Sequence, residues 1–469
     1  MTDEPVTAAL AELAPDFRGE LLRPGDGGYD VARRVWNGMI DRRPGLIARC
    51  TGVGDVQAAI RVARDQRLLV AVRGGGHNVA GNAVCDDGLV IDLSPLKGIF
   101  VDPSSRTARV QGGVTLGELD RETQRFGLAT TGGLISTTGV AGLTLGGGVG
   151  WLARKFGTAC DNLVSAQVVT PAGEIVTASE SENPDLFWGL RGGGGNFGIV
   201  TTFEYRLHRV GPEVLAGAVF HPLERGEAVL RFFHDFAREA PDELTAIAQV
   251  FTAGPAPFLP PETEGRLLVA IGVCWSGDLD EGERVLAPLR SSGSPLADVI
   301  GPIPYTALQS GSDLAFPAGR HNYWKSSYLD EISDGAIAAA LEHAERMPSP
   351  DSVFYVEHLE GAICRVSPEE TAFAHRDAAF DFNALAMWED PSDTDENVAW
   401  ARGFWEAMQP HAGRGVYVNN LGVEGQDRVR EAYGDATYAR LAALKDRFDP
   451  ENLLRLNQNV EPSRAGAVA

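Results

Sequence analysis

Basic residues are in short supply in this chain of 469 residues: 41 Lys and Arg stand against 64 Asp and Glu, a formal net charge of -23 at pH 7. Nucleic acid and anionic membrane surfaces are bound through basic patches, and this balance leads us to expect neither as a partner. An anionic ligand has to be held instead by backbone amides and a few arginines. Cysteine is scarce as well. The five residues, at 50, 85, 160, 274 and 364, are odd in number, widely spaced and without a Cys-x-x-Cys, which fits reduced buried thiols better than disulfides or zinc. No long apolar run occurs: LLVAIGVCW at 267–275 is far too short for a bilayer. The acidic start, MTDEPVTAALAELAPDFRGELL, has neither the basic nor the apolar region of a signal peptide. A soluble, cytoplasmic protein is expected. Gly-x-Ser-x-Gly, His-Glu-x-x-His and Gly-Lys-Ser/Thr are also missing, so hydrolase, zinc-protease and P-loop chemistry have no anchor.

Glycine is what the chain has in quantity, 55 residues in all. Leu68 to Val72 is an unbroken apolar run suited to a buried strand, and it ends in Arg73-Gly74-Gly75-Gly76-His77-Asn78. Three successive residues without Cβ atoms let their amides turn together on one anion, with Arg73 adding a positive charge and His77 presented where backbone meets ligand. Residues 131–150, TGGLISTTGVAGLTLGGGVG, carry eight glycines and no charge. A flexible linker would be serine-rich and polar, whereas this stretch keeps Leu134, Ile135, Val140, Leu143, Leu145 and Val149, as buried backbone against a flat or anionic ligand would. Gly148-x-Gly150-x-x-Ala153 and Gly193-x-Gly195-x-x-Gly198 match the dinucleotide fingerprint in letters only. The second opens a strand, IVTTFEYRL, and the first follows no β-branched strand, so a Rossmann domain is not expected.

The length suggests two or three domains. Residues 1–45 read as helical, with Val31, Val35 and Met39 at helical spacing, and a β-α-β unit follows: a strand at 46–50, a helix at 54–66 and the strand before the triple glycine. Short strands at 89–94 and 108–113 and a helix at 115–126 come next. Past Tyr205 the texture changes. Strands VLAGAVF, RLLVAIGVCW, SVFYVEHLE and DFNALAMWED alternate with helices at 226–239, 279–291 and 333–346, which predicts an antiparallel sheet with helices on one face. A boundary falls near Arg209, and the fold class is α+β. The tail at 446–462 is apolar at Leu453, Leu454 and Leu456 and then reads Asn457-Gln458-Asn459, so it is tied down; planar amide side chains suit the polar edge of a heterocycle.

These motifs, with Arg154-Lys155-Phe156-Gly157, Asp161-Asn162, Asp185-Leu186-Phe187-Trp188, Arg191-Gly192-Gly193-Gly194-Gly195-Asn196-Phe197-Gly198-Ile199-Val200 and Tyr417-Val418-Asn419, resemble in order the berberine-bridge-enzyme-like flavoprotein oxidoreductases. That family has the vanillyl-alcohol-oxidase (para-cresol-methylhydroxylase) type of FAD-binding fold. The resemblance implies a two-part FAD-binding domain, 1–209 and 406–469, around a substrate domain at 210–405. It implies FAD bonded once, through His77, since no cysteine stands where some relatives make a second link. Arg73, Gly74, Gly75, Gly76, His77, Asn78, Thr138, Gly139, Gly142, Gly146, Gly147 and Gly150 would cradle the pyrophosphate and ribityl chain, with Asn162 nearby. Gly198, Ile199 and Val200 would lie by the adenine, and Asn419, Asn457 and Asn459 by the isoalloxazine or ribityl groups. The activity implied is an oxidase moving hydride from an alcohol, phenol or amine carbon of a small organic metabolite to flavin N5, with oxygen as acceptor, in a monomer or homodimer; the alternative is a flavoprotein that only sequesters an aromatic metabolite.

Many relatives read Tyr-x-Asn-Tyr where this chain has Tyr417-Val418-Asn419-Asn420, so the tyrosine often assigned as base is replaced by Asn420. Tyr417 becomes the first candidate base. Lys325 would be its charge partner, and Tyr323, Tyr328 and Tyr355 are rivals; a tyrosine of ordinary pKa about 10 works as a base only where positive charge lowers that value. Cys160, beside Asp161, reads as a small buried apolar residue.

Overall fold

The structure, a computed structural model, describes residues 4–463. A four-stranded sheet is ordered Glu20–Leu22, Leu46–Arg49, Leu89–Asp92, Val70–Arg73, the last three parallel. The helix Val53–Asp65 covers it, burying Val56, Ala59, Ile60 and Ala63 at helical spacing. A five-stranded antiparallel sheet follows, ordered Ile99–Asp102, Thr107–Gln111, Ile199–Arg206, Leu163–Val169, Ile175–Ser179. The strand that opens after Gly198 is central in it, which accounts for the missing Rossmann helix. The helix expected through Val31, Val35 and Met39 does not form. Helical structure there is confined to Tyr29–Ala32, Val31 is exposed, and the following segment is held instead by buried Asn37, whose Nδ2 donates to Val79 O at 2.8 Å and Asn322 O at 2.9 Å.

The eight-stranded sheet between residues 213 and 388 is antiparallel throughout and runs Ala297–Asp298, Glu213–Pro222, Leu267–Trp275, Leu244–Thr252, Val353–His358, Phe380–Trp388, His321–Leu329, with Gly301–Pro304 also on the second strand. Side chains alternate between its faces. Ala246, Ala248, Val269, Ile271, Phe354, Val356, Phe380 and Phe382 pack under the helices Gly226–Arg238, Leu279–Ser291, Asp334–Ala344 and Thr394–Met408. The opposite face is turned toward the glycine-rich segments. Two of its strands, Leu244–Thr252 and His321–Leu329, carried no strand signal in the sequence reading.

The tail returns to the first half of the chain, and a buried ion pair shows how. Lys445 Nζ lies 2.8 Å from Asp449 Oδ2 and donates to Asn196 O and Leu454 O, while Asp449 accepts from the amides of Leu453 and Leu454 at 2.9 Å each. Removing one partner would leave the other charge buried, a loss of about 3–5 kcal/mol. Four cysteines are buried as expected, whereas Cys364 is exposed. Among the described residues no helix is long and apolar enough to cross a membrane.

Candidate active site

A cavity of about 410 Å³ lies between the glycine-rich segments and the helix-free face of the large sheet. Gly74, Gly75, Gly76, His77, Asn78, Thr138, Gly139, Gly142, Gly146, Gly198, Ile199, Val200, Tyr417, Asn419 and Asn457 all line it. The two loops meet backbone to backbone: a Cβ on Gly75 would sit 2.4 Å from Gly139 N, and one on Gly139 the same distance from Gly75 N. A Cβ on Gly146 would fall 2.0 Å from Asn419 Oδ1. The amides of residues 74–78 donate to no other backbone group among the described residues, so they are free to turn on a ligand. Asn457 Oδ1, Tyr433 Oη and Trp151 Nε1, all on lining residues, are buried without a partner. A run of free donors beside orphaned polar atoms fits a long polar ligand such as a dinucleotide.

Five expected cofactor residues lie outside the lining. Arg73 donates to the carbonyls of Ala32 and Arg34 and lies 3.7 Å from Asp92, so its charge is spent on the protein. Gly147, at φ +124°, packs against Phe373, and Gly150 against the carbonyls of Gly132 and Gly133. Asn162 Nδ2 donates to Phe156 O and Thr158 O, holding a turn. Asn459 keeps an unpartnered Oδ1 beside the lining tail residues.

His77 is stacked on Trp36, ring centroids 4.4 Å apart at 19°, and its Nε2 is 3.2 Å from Thr137 Oγ1. Burial lowers its pKa to about 4, so the imidazole is neutral at pH 7.

The expected base and its partners are rearranged. Tyr417 is on the wall, but its hydroxyl accepts from Gly148 N and Asn419 Nδ2, each at 2.8 Å, and burial raises its pKa. Among the described residues no Lys or Arg hydrogen-bonds to it to lower that value. Strand alternation turns Tyr323 and Lys325 to the helix side, while Trp324 between them lines the cavity. Tyr323 Oη accepts from Arg402 Nε at 3.0 Å; Lys325 is paired with Glu424 at 2.5 Å and stands over the Trp405 ring. Of the rivals, Tyr355 lines the cavity and Tyr328 does not.

Facing the glycine loops are two acids that the sequence reading passed over. Glu357 and Asp381 are register partners on neighbouring strands, and both line the cavity. Burial, followed by the nearby Asp381, pushes Glu357 up to about 8; burial pushes Asp381 up to about 7. Asp381 accepts from Ser326 Oγ, Asn383 Nδ2 and Asn420 Nδ2, each at 2.9 Å, and these bonds favour its ionised form. Asn420, the departure in the Tyr-x-Asn-Tyr pattern, is thus an amide that orients a carboxylate. The signal was a single acid within each of two otherwise largely apolar strands, Glu357 in SVFYVEHLE and Asp381 in DFNALAMWED, where Phe354, Val356, Phe380 and Phe382 take the other face.

A cleft between glycine-rich backbone loops and a carboxylate-bearing sheet, with unpartnered polar atoms along it, fits a flavin-dependent oxidoreductase, and comparison with known proteins shows that class. Residues 44–179 match the family model "FAD binding domain" and residues 416–461 match "Berberine and berberine like". The chain is 34% identical over 461 residues to (R)-6-hydroxynicotine oxidase of Paenarthrobacter nicotinovorans, covering 95% of this chain and 97% of the other. It is 30% identical over 462 residues to an FAD-linked oxidoreductase of Dictyostelium discoideum, covering 97% of each. The crystal structure of 6-hydroxy-D-nicotine oxidase from Arthrobacter nicotinovorans superposes with a TM-score of 0.87 at 32% identity, over 96% of this chain and 99% of that one. A berberine-bridge-enzyme-like protein of Physcomitrella patens, at 24% identity and a TM-score of 0.85, covering 97% of each chain, shares the fold. The chain belongs to the berberine-like FAD-linked oxidoreductases, and its cofactor is FAD.

Proposed function

We propose that this protein oxidises the carbon next to nitrogen in a small, partly aromatic amine, with oxygen as electron acceptor. The carrying observation is the cavity's charge: Glu357 and Asp381 lie on its wall, and no Lys or Arg is among the lining residues. Carboxylates on the sheet side of the cavity disfavour an anionic substrate group beside them and favour an ammonium group. Trp36, Phe316, Trp324 and Tyr355 supply flat apolar surface for the rest of the molecule. That (R)-6-hydroxynicotine oxidase is named for an amine substrate supports the reading.

In this proposal the cofactor is held by residues 1–209 and 406–469 and the substrate by 210–405. Gly74 to Asn78 and Gly139 to Gly146 would hold the phosphates and ribityl chain, and His77 would make the single covalent bond to the flavin. When bound, FAD takes a hydride at N5 and passes two electrons to oxygen, giving hydrogen peroxide. Asp381, fixed by Ser326, Asn383 and Asn420, anchors the ammonium. Glu357 and Asp381 share the negative charge and take the proton that the amine gives up, and values near 7 and 8 suit that transfer at neutral pH. Tyr417 keeps Gly148 and Asn419 in place. A panel of amines, alcohols and phenols, mixed anaerobically with the yellow protein, tests the reading: bleaching with amines supports it. Bleaching with alcohols alone, or a merely perturbed spectrum throughout, refutes it.

A further inference from the structure

Resting on the reading that His77 carries the flavin, we propose that Trp36 and Thr137 together set up that attachment, Trp36 by fixing the plane of the imidazole and Thr137 by choosing which nitrogen reacts. Trp36 is wired at every polar atom. Its backbone N donates to Gly76 O at 3.0 Å, next to the histidine; its carbonyl accepts from Gly319 N at 2.8 Å; its Nε1 donates to Phe316 O at 3.1 Å. Trp324 meets the indole edge-on, with centroids 5.6 Å apart. An indole immobilised in this way presents one fixed face, and His77 lies nearly parallel to it. Rotation of the imidazole about its χ2 axis would destroy the stack, so the ring plane is set before any flavin arrives.

Thr137 acts on the other degree of freedom. His77 Nε2 and Thr137 Oγ1 lie 3.2 Å apart, and in this proposal Nε2–H takes the donor role, which leaves the lone pair on Nδ1. Attachment joins that lone pair to the C8α methyl carbon of the flavin. One methyl C–H breaks, and the Nε2 proton leaves toward Thr137. The two electrons of the C–H bond and two protons end on the flavin, which oxygen then reoxidises to yield hydrogen peroxide. A desolvated, neutral imidazole is the form this step needs. Thr137 belongs to the loop before Gly139 and Trp36 to the irregular segment before residue 45, so two separate parts of the chain converge on one side chain.

The test is the rate of covalent incorporation, read as flavin fluorescence retained by the polypeptide after acid precipitation. Flavin-depleted wild type, Thr137→Val, Trp36→Leu and Trp36→Phe are each mixed with FAD. Non-covalent affinity, measured by fluorescence quenching, should be within a few-fold of wild type in all. Attachment should slow by about tenfold to a hundredfold in Thr137→Val and Trp36→Leu, the scale of a misplaced reacting group. Trp36→Phe, which keeps a ring face, should recover most of the rate; a merely structural tryptophan would not separate attachment from affinity. Equal attachment rates in wild type, Thr137→Val and Trp36→Leu overturn the proposal. Wild type that releases all its flavin into acid would instead sink the His77 link itself.

Discussion

The cavity's two walls are built by different means. Residues 74–78 and 138–146 include glycines at which no side chain fits: at Gly75, Gly139 and Gly146 a Cβ would strike main chain or the Asn419 amide. The strands Val353–His358 and Phe380–Trp388 face the cavity with side chains, Tyr355, Glu357, Asp381 and Leu385, the alternate ones being committed to the helix-packed core. A backbone wall tolerates almost no side chain and so recurs as glycine. A side-chain wall can be re-equipped two residues at a time without disturbing the fold, and under the proposed function it is where substrate choice would reside.

Gly75→Val should break the cradle wall most severely. Its new side chain would overlap Gly139, and purified protein should contain almost no flavin, as measured by the ratio of 450 nm to 280 nm absorbance. Full flavin content would show that the loops yield. On the sheet wall, Glu357→Gln or Asp381→Asn should keep flavin content and lower kcat/KM for an amine by about a hundredfold, the usual scale for losing a group that accepts a proton. Unaltered kinetics in both would move the chemistry elsewhere.

Glu357 also makes a pH prediction. Its carboxyl rises from an ordinary value of 4.5 to about 8 on folding, so between those values the folded chain holds a proton that the unfolded chain releases. Wild-type stability therefore falls as pH climbs through that window. Glutamine cannot ionise, so Glu357→Gln should melt higher than wild type by on the order of 2 °C at pH 8, with no gap near pH 4.5. A gap that is constant with pH would contradict a raised carboxyl. Smallest of all is Tyr417→Phe. With no Lys or Arg hydrogen-bonded to the phenol among the described residues, the rate of flavin reduction should change by less than about fivefold; a hundredfold slowing would restore it as the base.

The same contrast explains what was legible in the sequence. Gly74 to His77 and the 139–150 block announced themselves because a backbone wall leaves a local signature, and Asn457 to Asn459 because a terminus with buried leucines is unusual. Tyr323 and Lys325 were misplaced because facing depends on register: Trp324 takes the cavity face, and a shift of one residue exchanges the two sides. Glu357 and Asp381 lie in segments recognised as strands, yet their meeting depends on pairing of Val353–His358 with Phe380–Trp388, which no single stretch records. Arg73 looked like an anion-binding charge until Asp92 and two carbonyls were found around it.

The assignment of the sheet wall to an ammonium group is tested most directly by anaerobic flavin bleaching in wild type and in the Glu357→Gln, Asp381→Asn double variant. Each is mixed with an aromatic amine and with the alcohol of the same shape. Wild type should be reduced by the amine at least about a hundredfold faster than by the alcohol, and the double variant should lose that preference while retaining its flavin. A wild type that prefers the alcohol, or a double variant that still prefers the amine as strongly, would contradict the account.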